Sequence, residues 1–148
     1  YYIKHLAEMM PQYQFVVVAS YIGNVEGLPD NMFVWGRSNS QKELASLYAT
    51  ADVTVITSKR ETFSMIVAES LCCGTPVVGF EAGGPESIGL KDYSTFVHYG
   101  DEEKLKKEII HYLNKEWDSE VISRKAAEFY SKETMASGYL DVYRSILK

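Results

Sequence analysis

Apolar positions recur at two periods along this chain, and the switches between them mark its elements. Tyr2, Ile3, Leu6, Met9 and Met10 fall at helical spacing and Pro11 closes the segment, so the pattern predicts a helix over residues 1–10. Phe15, Val16, Val17, Val18 and Ala19 follow without a polar break, which is how a parallel strand covered on both faces reads. Residues 20–31, with Gly23, Gly27 and Pro29, read as loop and hold no GxGxxG fingerprint. A short strand over residues 32–35 stops at Gly36. Ser40-Gln41-Lys42-Glu43 is then a capping box for a helix to about Ala51, whose buried stripe is Leu44, Leu47, Tyr48 and Ala51.

The most informative stretch comes next. Val53, Thr54, Val55 and Ile56 form a β-branched run that breaks at Thr57 and Ser58; a helical pattern ends at Gly74; a second apolar run, Val77 to Phe80, begins after Pro76. Strand, helix and strand in that order make a right-handed parallel βαβ unit. Downstream, residues 95–99 read as a last strand, and Asp101 caps a helix with Leu105, Ile109, Leu113 and Trp117 on one face and Lys106, Lys107 and Glu108 on the solvated one. Two more helices fit residues 119–130 and 132–147. The last carries a broad stripe of Met135, Tyr139, Val142, Tyr143 and Ile146.

Composition narrows the classes. With 148 residues, 46% hydrophobic and 24% charged, the chain has the makings of one globular domain with a proper core. Its net charge of −5 argues against a nucleic-acid binder. Cys72 and Cys73 are neighbours within a helical pattern, where a disulfide between them is unfavourable, and a reducing cytoplasmic setting fits. The sequence shows no signal peptide, no membrane-spanning apolar run and no initiator methionine. His5, His98 and His111 lack metal-ligand spacing, so no metal site is expected.

In a βαβ unit, chemistry gathers where the loop leaving the first strand meets the N-terminus of the helix. Glu61 lies in that loop, and Glu69 follows about 7 Å of helix rise beyond Ser64. The amides of Thr62, Phe63, Ser64 and Met65 are candidates for holding a phosphate, since a helix N-terminus leaves N–H groups unpartnered and carries partial positive charge. A nucleoside diphosphate seated there would bring its ribose level with Glu69, whose carboxylate accepts from a vicinal diol. Each residue also has a plainer reading. Glu69 is alternatively a solvated helix carboxylate and Glu61 a complement to the helix dipole. Lys59 and Arg60 are alternatively plain surface. Gly83 and Gly84 serve equally for a tight turn and for close approach to a ligand.

Glu61, seven intervening residues and Glu69, followed by Cys73-Gly74-Thr75-Pro76-Val77-Val78 and Gly83-Gly84, resemble the Glu-x7-Glu signature of retaining GT-B glycosyltransferases, especially glycosyltransferase family four. Ser64 stands where that pattern commonly has glycine, and Gly84-Pro85-Glu86-Ser87-Ile88 is one residue shorter than the usual loop. The resemblance implies an α/β fold: a Rossmann-like parallel sheet with helices on both faces, the C-terminal lobe of a GT-B enzyme, with strand order 3-2-1-4-5-6 and its first strand missing. On that order the strands holding Val17 and Val55 either close up and pair directly, the outcome expected, or another segment or chain fills the space between them. It implies transfer of a sugar from a nucleotide donor, in polysaccharide or glycoconjugate synthesis, without a cofactor or metal. Glu61 would face the donor sugar as the catalytic carboxylate; Glu69, Arg60, Gly83, Gly84 and the amides of Thr62 to Met65 would bind the donor, with Gly36 near the base.

The partners implied are the nucleotide sugar and a missing N-terminal lobe that supplies the acceptor site, so the chain alone is expected to be inactive. The last helix is expected to keep part of its stripe exposed. The resemblance admits peripheral membrane association of the full-length enzyme. The alternatives are a GT-B-like epimerase or phosphorylase lobe, or a non-catalytic α/β interaction module.

Overall fold

Every strand among the described residues runs parallel to its neighbours. The computed structural model describes residues 1–19 and 27–147, so most of the loop expected at residues 20–31 lies outside the described residues. In chain order the elements are α1 (Tyr2–Met9), β1 (Phe15–Val17), β2 (Met32–Val34), α2 (Gln41–Thr50), β3 (Thr54–Ile56), α3 (Met65–Cys72), β4 (Val77–Phe80), α4 (Pro85–Ile88), β5 (Ser94–Val97), α5 (Glu102–Leu113), α6 (Ser119–Phe129) and α7 (Lys132–Ile146). The short α4, opened by Pro85, is the one element the sequence pattern did not predict.

Side-chain caps explain four of the described helix starts. Asp101, Asp118 and Ser131 each accept the amide three residues on, from Lys104, Val121 and Thr134, at 3.0 Å. Ser40 does the same for Glu43 at 3.3 Å, but the capping box is only half made. The Glu43 carboxylate turns instead to Trp35 Nε1 and Ser38 Oγ, and Ser38 Oγ takes over the Ser40 amide. The expected stripe of α2 is shallower than its spacing suggests: Leu44, Leu47 and Tyr48 are half-buried and Ala51 is exposed.

The sheet β3-β4-β5 is the centre of the molecule. All four residues of β4 are buried, and its side chains alternate between two cores. Val78 and Phe80 point with Val97 into one, built on Leu6 and Met10 from the first helical segment and Leu105, Ile109 and Tyr112 of α5. Val77 points with Ile56 into the other, against Val67 and Leu71 of α3 and Ile122 and Ala126 of α6. Helices on both faces of a parallel sheet are what the sequence predicted.

Strand pairing corrects the sequence in two respects. Residues 15–34 do not extend the central sheet: β1 pairs with β2, Val17 opposite Val34, while Val55 lies opposite Val78. No ladder joins β1 to β3 among the described residues, so the expected closure does not occur. Phe15, Val53 and Val55 all lean on the core beneath α1 and α5, so packing rather than a ladder holds β1 in place. Nor is β1 covered on both faces: Val16, Val18, Phe33 and Trp35 are exposed. Water therefore reaches this ribbon, and an unpaired edge there escapes the full penalty of buried orphan groups.

Asn31 anchors the ribbon. Its buried side-chain amide donates to the carbonyls of Ala7, Met10 and Tyr13 at 3.0, 3.1 and 2.8 Å, tying β2 to the end of α1. At the far end of the chain, α7 buries no residue, and Met135, Tyr139, Val142, Tyr143 and Ile146 are all exposed, as expected of that stripe.

Candidate functional site

Two loops meet at the C-terminal end of the central sheet. One leaves β3 and runs through Glu61 to α3; the other leaves β4 and runs through Gly83 and Gly84 to α4. The Glu61 amide donates to the Ala82 carbonyl at 2.9 Å, and Glu61 and Gly83 form a parallel bridge. Gly84 has to be glycine here: an added Cβ would lie 2.8 Å from the Thr62 carbonyl carbon and 2.9 Å from the Phe63 nitrogen. Glu86 locks the second loop, its carboxylate accepting from the amides of Gly83 at 2.7 Å and Ala82 at 3.0 Å. Burial works to raise its pKa, but the amides of Ala82, of Glu86 itself and of Gly83 together outweigh it and hold the carboxyl below the usual range. The shortened Gly-Gly-Pro-Glu loop thus uses its glutamate as an internal clasp.

Ser64 caps α3 in a left-handed conformation, φ +68°, the one non-glycine residue with positive φ among those described. Its side chain makes no capping bond, and its hydroxyl is buried without a partner. The carbonyl of Ser64 accepts from Val67 at 3.1 Å, while the amides of Thr62, Phe63, Ser64, Met65 and Ile66 have no backbone acceptor among the described residues. Phe63, Met65 and Ile66 are exposed around this turn. The helix start thus offers a run of free N–H groups within an apolar rim, an arrangement that accepts an anion.

Glu69 sits half-buried on α3, about one and a half turns beyond Ser64. One of its oxygens, Oε2, accepts from the Tyr48 hydroxyl at 3.1 Å. Burial, then the charge of Glu69 and this hydrogen bond, push the Tyr48 pKa well up, so the phenol stays a donor. Sequence reasoning placed Tyr48 in a packing stripe and missed this role. The signal was present in the Tyr hydroxyl at the end of a helix preceding the β3–α3 unit, but spacing alone does not pair residues 48 and 69.

The structure therefore gathers Glu61, Thr62, Phe63, Ser64, Met65, Gly83 and Gly84 at one place, with Glu69 further along the same helix. Arg60 is exposed and makes no ion pair among the described residues, and Lys59 reaches over the Tyr99 ring, 5.8 Å from its centroid. Gly36, with φ +80°, stands at the end of β2, in the other sheet. Both cysteines are free, and burial raises their thiols above the ordinary range. Among the described residues no cluster of three or more His, Cys, Asp or Glu could hold a metal ion, and no helix is long and apolar enough to cross a membrane.

Two cavities, of about 580 and 400 Å³, open at the opposite end of the sheet, around Lys91, Asp92 and Tyr93 ahead of β5. Neither is lined by Glu61 or Glu69. Volume and chemistry thus point to different ends of the molecule. The charged lining of the larger cavity sets Lys91 and Lys115 against Asp92, Glu108, Glu116 and Asp118, an acidic balance that does not suit an anion. The free helix amides favour the loop end.

Likeness to known proteins identifies the family. The family model for glycosyl transferases group 1 matches residues 20–129. D-inositol 3-phosphate glycosyltransferase of Segniliparus rotundus is 29% identical over 126 residues, covering 82% of this chain and 28% of that protein. N-acetyl-alpha-D-glucosaminyl L-malate synthase of Bacillus anthracis is 25% identical over 140 residues, covering 91% of this chain and 36% of that protein. The chain thus spans about a third of the length of these relatives. Among solved structures, Anabaena HepE in complex with UDP superposes with a TM-score of 0.74 over 97% of this chain and 44% of its own, at 20% identity. At that identity the likeness speaks for the fold, and it is the fold class that the sequence implied.

Proposed function

Because this chain belongs to the glycosyl transferases group 1, we propose that it is the lobe that binds the nucleotide-sugar donor, in an enzyme that transfers the sugar with retention of configuration. The observation that carries the reading is the joint between the two loops: Glu61 bridged to Gly83, Gly84 pressed against Thr62 and Phe63, and unpartnered amides opening α3. In this reading the diphosphate lies on the amides of Thr62 to Met65, with Arg60 and the Gly83–Gly84 backbone beside it. As the bond to the sugar breaks, negative charge grows on the departing diphosphate. Fixed N–H dipoles at a helix start stabilise that charge without having to reorganise.

Glu61, on the rim of the same joint, faces the donor sugar and holds it in register while positive character develops at the anomeric carbon. Glu69, further along α3, receives the ribose hydroxyls. Gly36, at the end of β2, lies toward the base. The reading assigns diphosphate stabilisation to backbone amides rather than to a metal ion, and the acceptor to a second lobe of a longer enzyme. UDP, held by the Anabaena neighbour, is the first nucleotide to try.

Calorimetric titration with a panel of nucleoside diphosphates and nucleotide sugars tests this. Binding of a nucleoside diphosphate that persists in excess chelator, and that Glu69→Gln weakens, supports the reading. Absence of binding to every member of the panel at about 10 mM, an affinity below roughly 3 kcal/mol, refutes it.

A further inference from the structure

The carboxylate assigned to the ribose is not free to turn. Tyr48 approaches it from α2, across the contact between α2 and α3, with its hydroxyl 3.1 Å from Glu69 Oε2. The end of α2 is itself pinned. Thr75 Oγ1 donates to the Tyr48 carbonyl at 2.6 Å, and Ser70 Oγ lies 2.9 Å from the Thr75 carbonyl and 2.8 Å from Thr54 Oγ1. Ser70 and Thr75 are buried, so this chain of contacts joins α2 to β3, α3 and the start of β4 through a rigid interior. Tyr48 is thus held at its backbone by one residue next to β4 and reaches a functional carboxylate with its side chain.

A carboxylate on an exposed stretch of helix samples several rotamers, and ordering it on a ligand costs free energy. A carboxylate with one oxygen already engaged is set in advance. Two oxygens offer about four acceptor sites, so one hydrogen bond from a phenol leaves Oε1 and part of Oε2 open. A vicinal diol needs two such sites side by side. We propose that Tyr48 is a positioning residue for the donor's ribose: its hydroxyl fixes the Glu69 carboxylate so that its open acceptor sites meet the 2′ and 3′ hydroxyls. This inference rests on the donor-lobe reading and adds a residue to it.

The test is a double-mutant cycle in this chain, Tyr48→Phe, Glu69→Gln and both together, with binding of UDP and of its 2′,3′-dideoxy counterpart measured by calorimetry. Phenylalanine keeps the ring and removes only the hydroxyl. Tyr48→Phe should weaken UDP by about three- to tenfold, the scale of one hydrogen bond to a charged group partly replaced by water. The dideoxy nucleotide should change by less than about twofold, and the double variant should bind no worse than Glu69→Gln alone. A general packing defect moves both ligands alike, so equal weakening of UDP and the dideoxy nucleotide would overturn the inference. So would Tyr48→Phe binding UDP as tightly as the parent while Glu69→Gln loses affinity. If Glu69→Gln has no effect, or UDP does not bind, the ribose assignment itself fails and Tyr48 falls with it.

Discussion

Replacing Ser64 by glycine should stabilise this protein, although it removes a buried side chain next to the candidate site. Ser64 bears two unfavourable features at once: a left-handed backbone and a buried hydroxyl without a partner. The left-handed conformation costs an L-residue about 1–2 kcal/mol, and an unsatisfied buried hydroxyl about 1–3 kcal/mol. Against this, glycine forfeits about 0.5–1 kcal/mol of backbone entropy on folding and about 0.8 kcal/mol of Cβ burial. The net expectation is a gain of about 2 kcal/mol, or roughly 4–8 °C in Tm for a domain of this size. Ser64→Ala separates the two effects, because it removes the hydroxyl and keeps the strained backbone without glycine's costs; by the same numbers its gain should also be about 2 kcal/mol. Scanning calorimetry of the three proteins decides it. If Ser64→Gly melts at or below the parent, and Ser64→Ala lower still, the hydroxyl has a partner in solution and the reasoning fails.

Three further outcomes are expected. Gly84→Ala forces a methyl to within 2.8 Å of the Thr62 backbone, so it should destabilise the fold by about 1–3 kcal/mol in chemical denaturation and weaken nucleotide binding as the two loops part. Glu86 has its pKa depressed in the folded state, so the stability it contributes is present above its unfolded value, near pH 4.3, and is lost as pH falls through the lower folded value. Stability measured from pH 6 down to about pH 3 should therefore fall less steeply in Glu86→Gln than in the parent. Asn31→Ala removes the side-chain amide from three carbonyls at the α1–β2 junction, of which those of Ala7 and Met10 keep backbone donors, and should cost about 1–3 kcal/mol, read as a lower denaturation midpoint.

Much of the fold was legible because several helix starts carry their own chemistry. Asp101 announces a cap that the structure makes, the polar break at Thr57–Ser58 ends β3 and Gly74–Thr75 closes α3 as read. Where a decision depended on partners rather than on local pattern, the sequence misled. The run from Phe15 to Ala19 reads as buried because all five residues are apolar, yet Val16 and Val18 are exposed; apolarity permits burial and does not supply the covering element. The direct pairing of the Val17 and Val55 strands followed from an inherited sheet order, whereas the observed registers are Val17 with Val34 and Val55 with Val78.

The candidate site divides along the same line. Glu61, Glu69 and the helix start were visible as spacing, and Gly83–Gly84 as glycines where a turn was needed. The clasp of Glu86 on Ala82 and Gly83, and the bond from Tyr48 to Glu69, are contacts that no periodicity encodes. Glu43 shows the converse: its capping box is present in sequence, but Trp35 and Ser38 claim the carboxylate.

The most direct test of the central claim is residue-resolved. In an isotope-labelled sample of this chain, backbone amide resonances are followed by NMR as UDP or another nucleoside diphosphate is added. The account predicts the largest shifts at residues 62–66 and 83–84, with smaller ones near Glu69 and Tyr48. Shifts concentrated around Lys91, Asp92, Tyr93 and Trp117, where the larger cavity opens, would place the nucleotide at the other end of the sheet and contradict it.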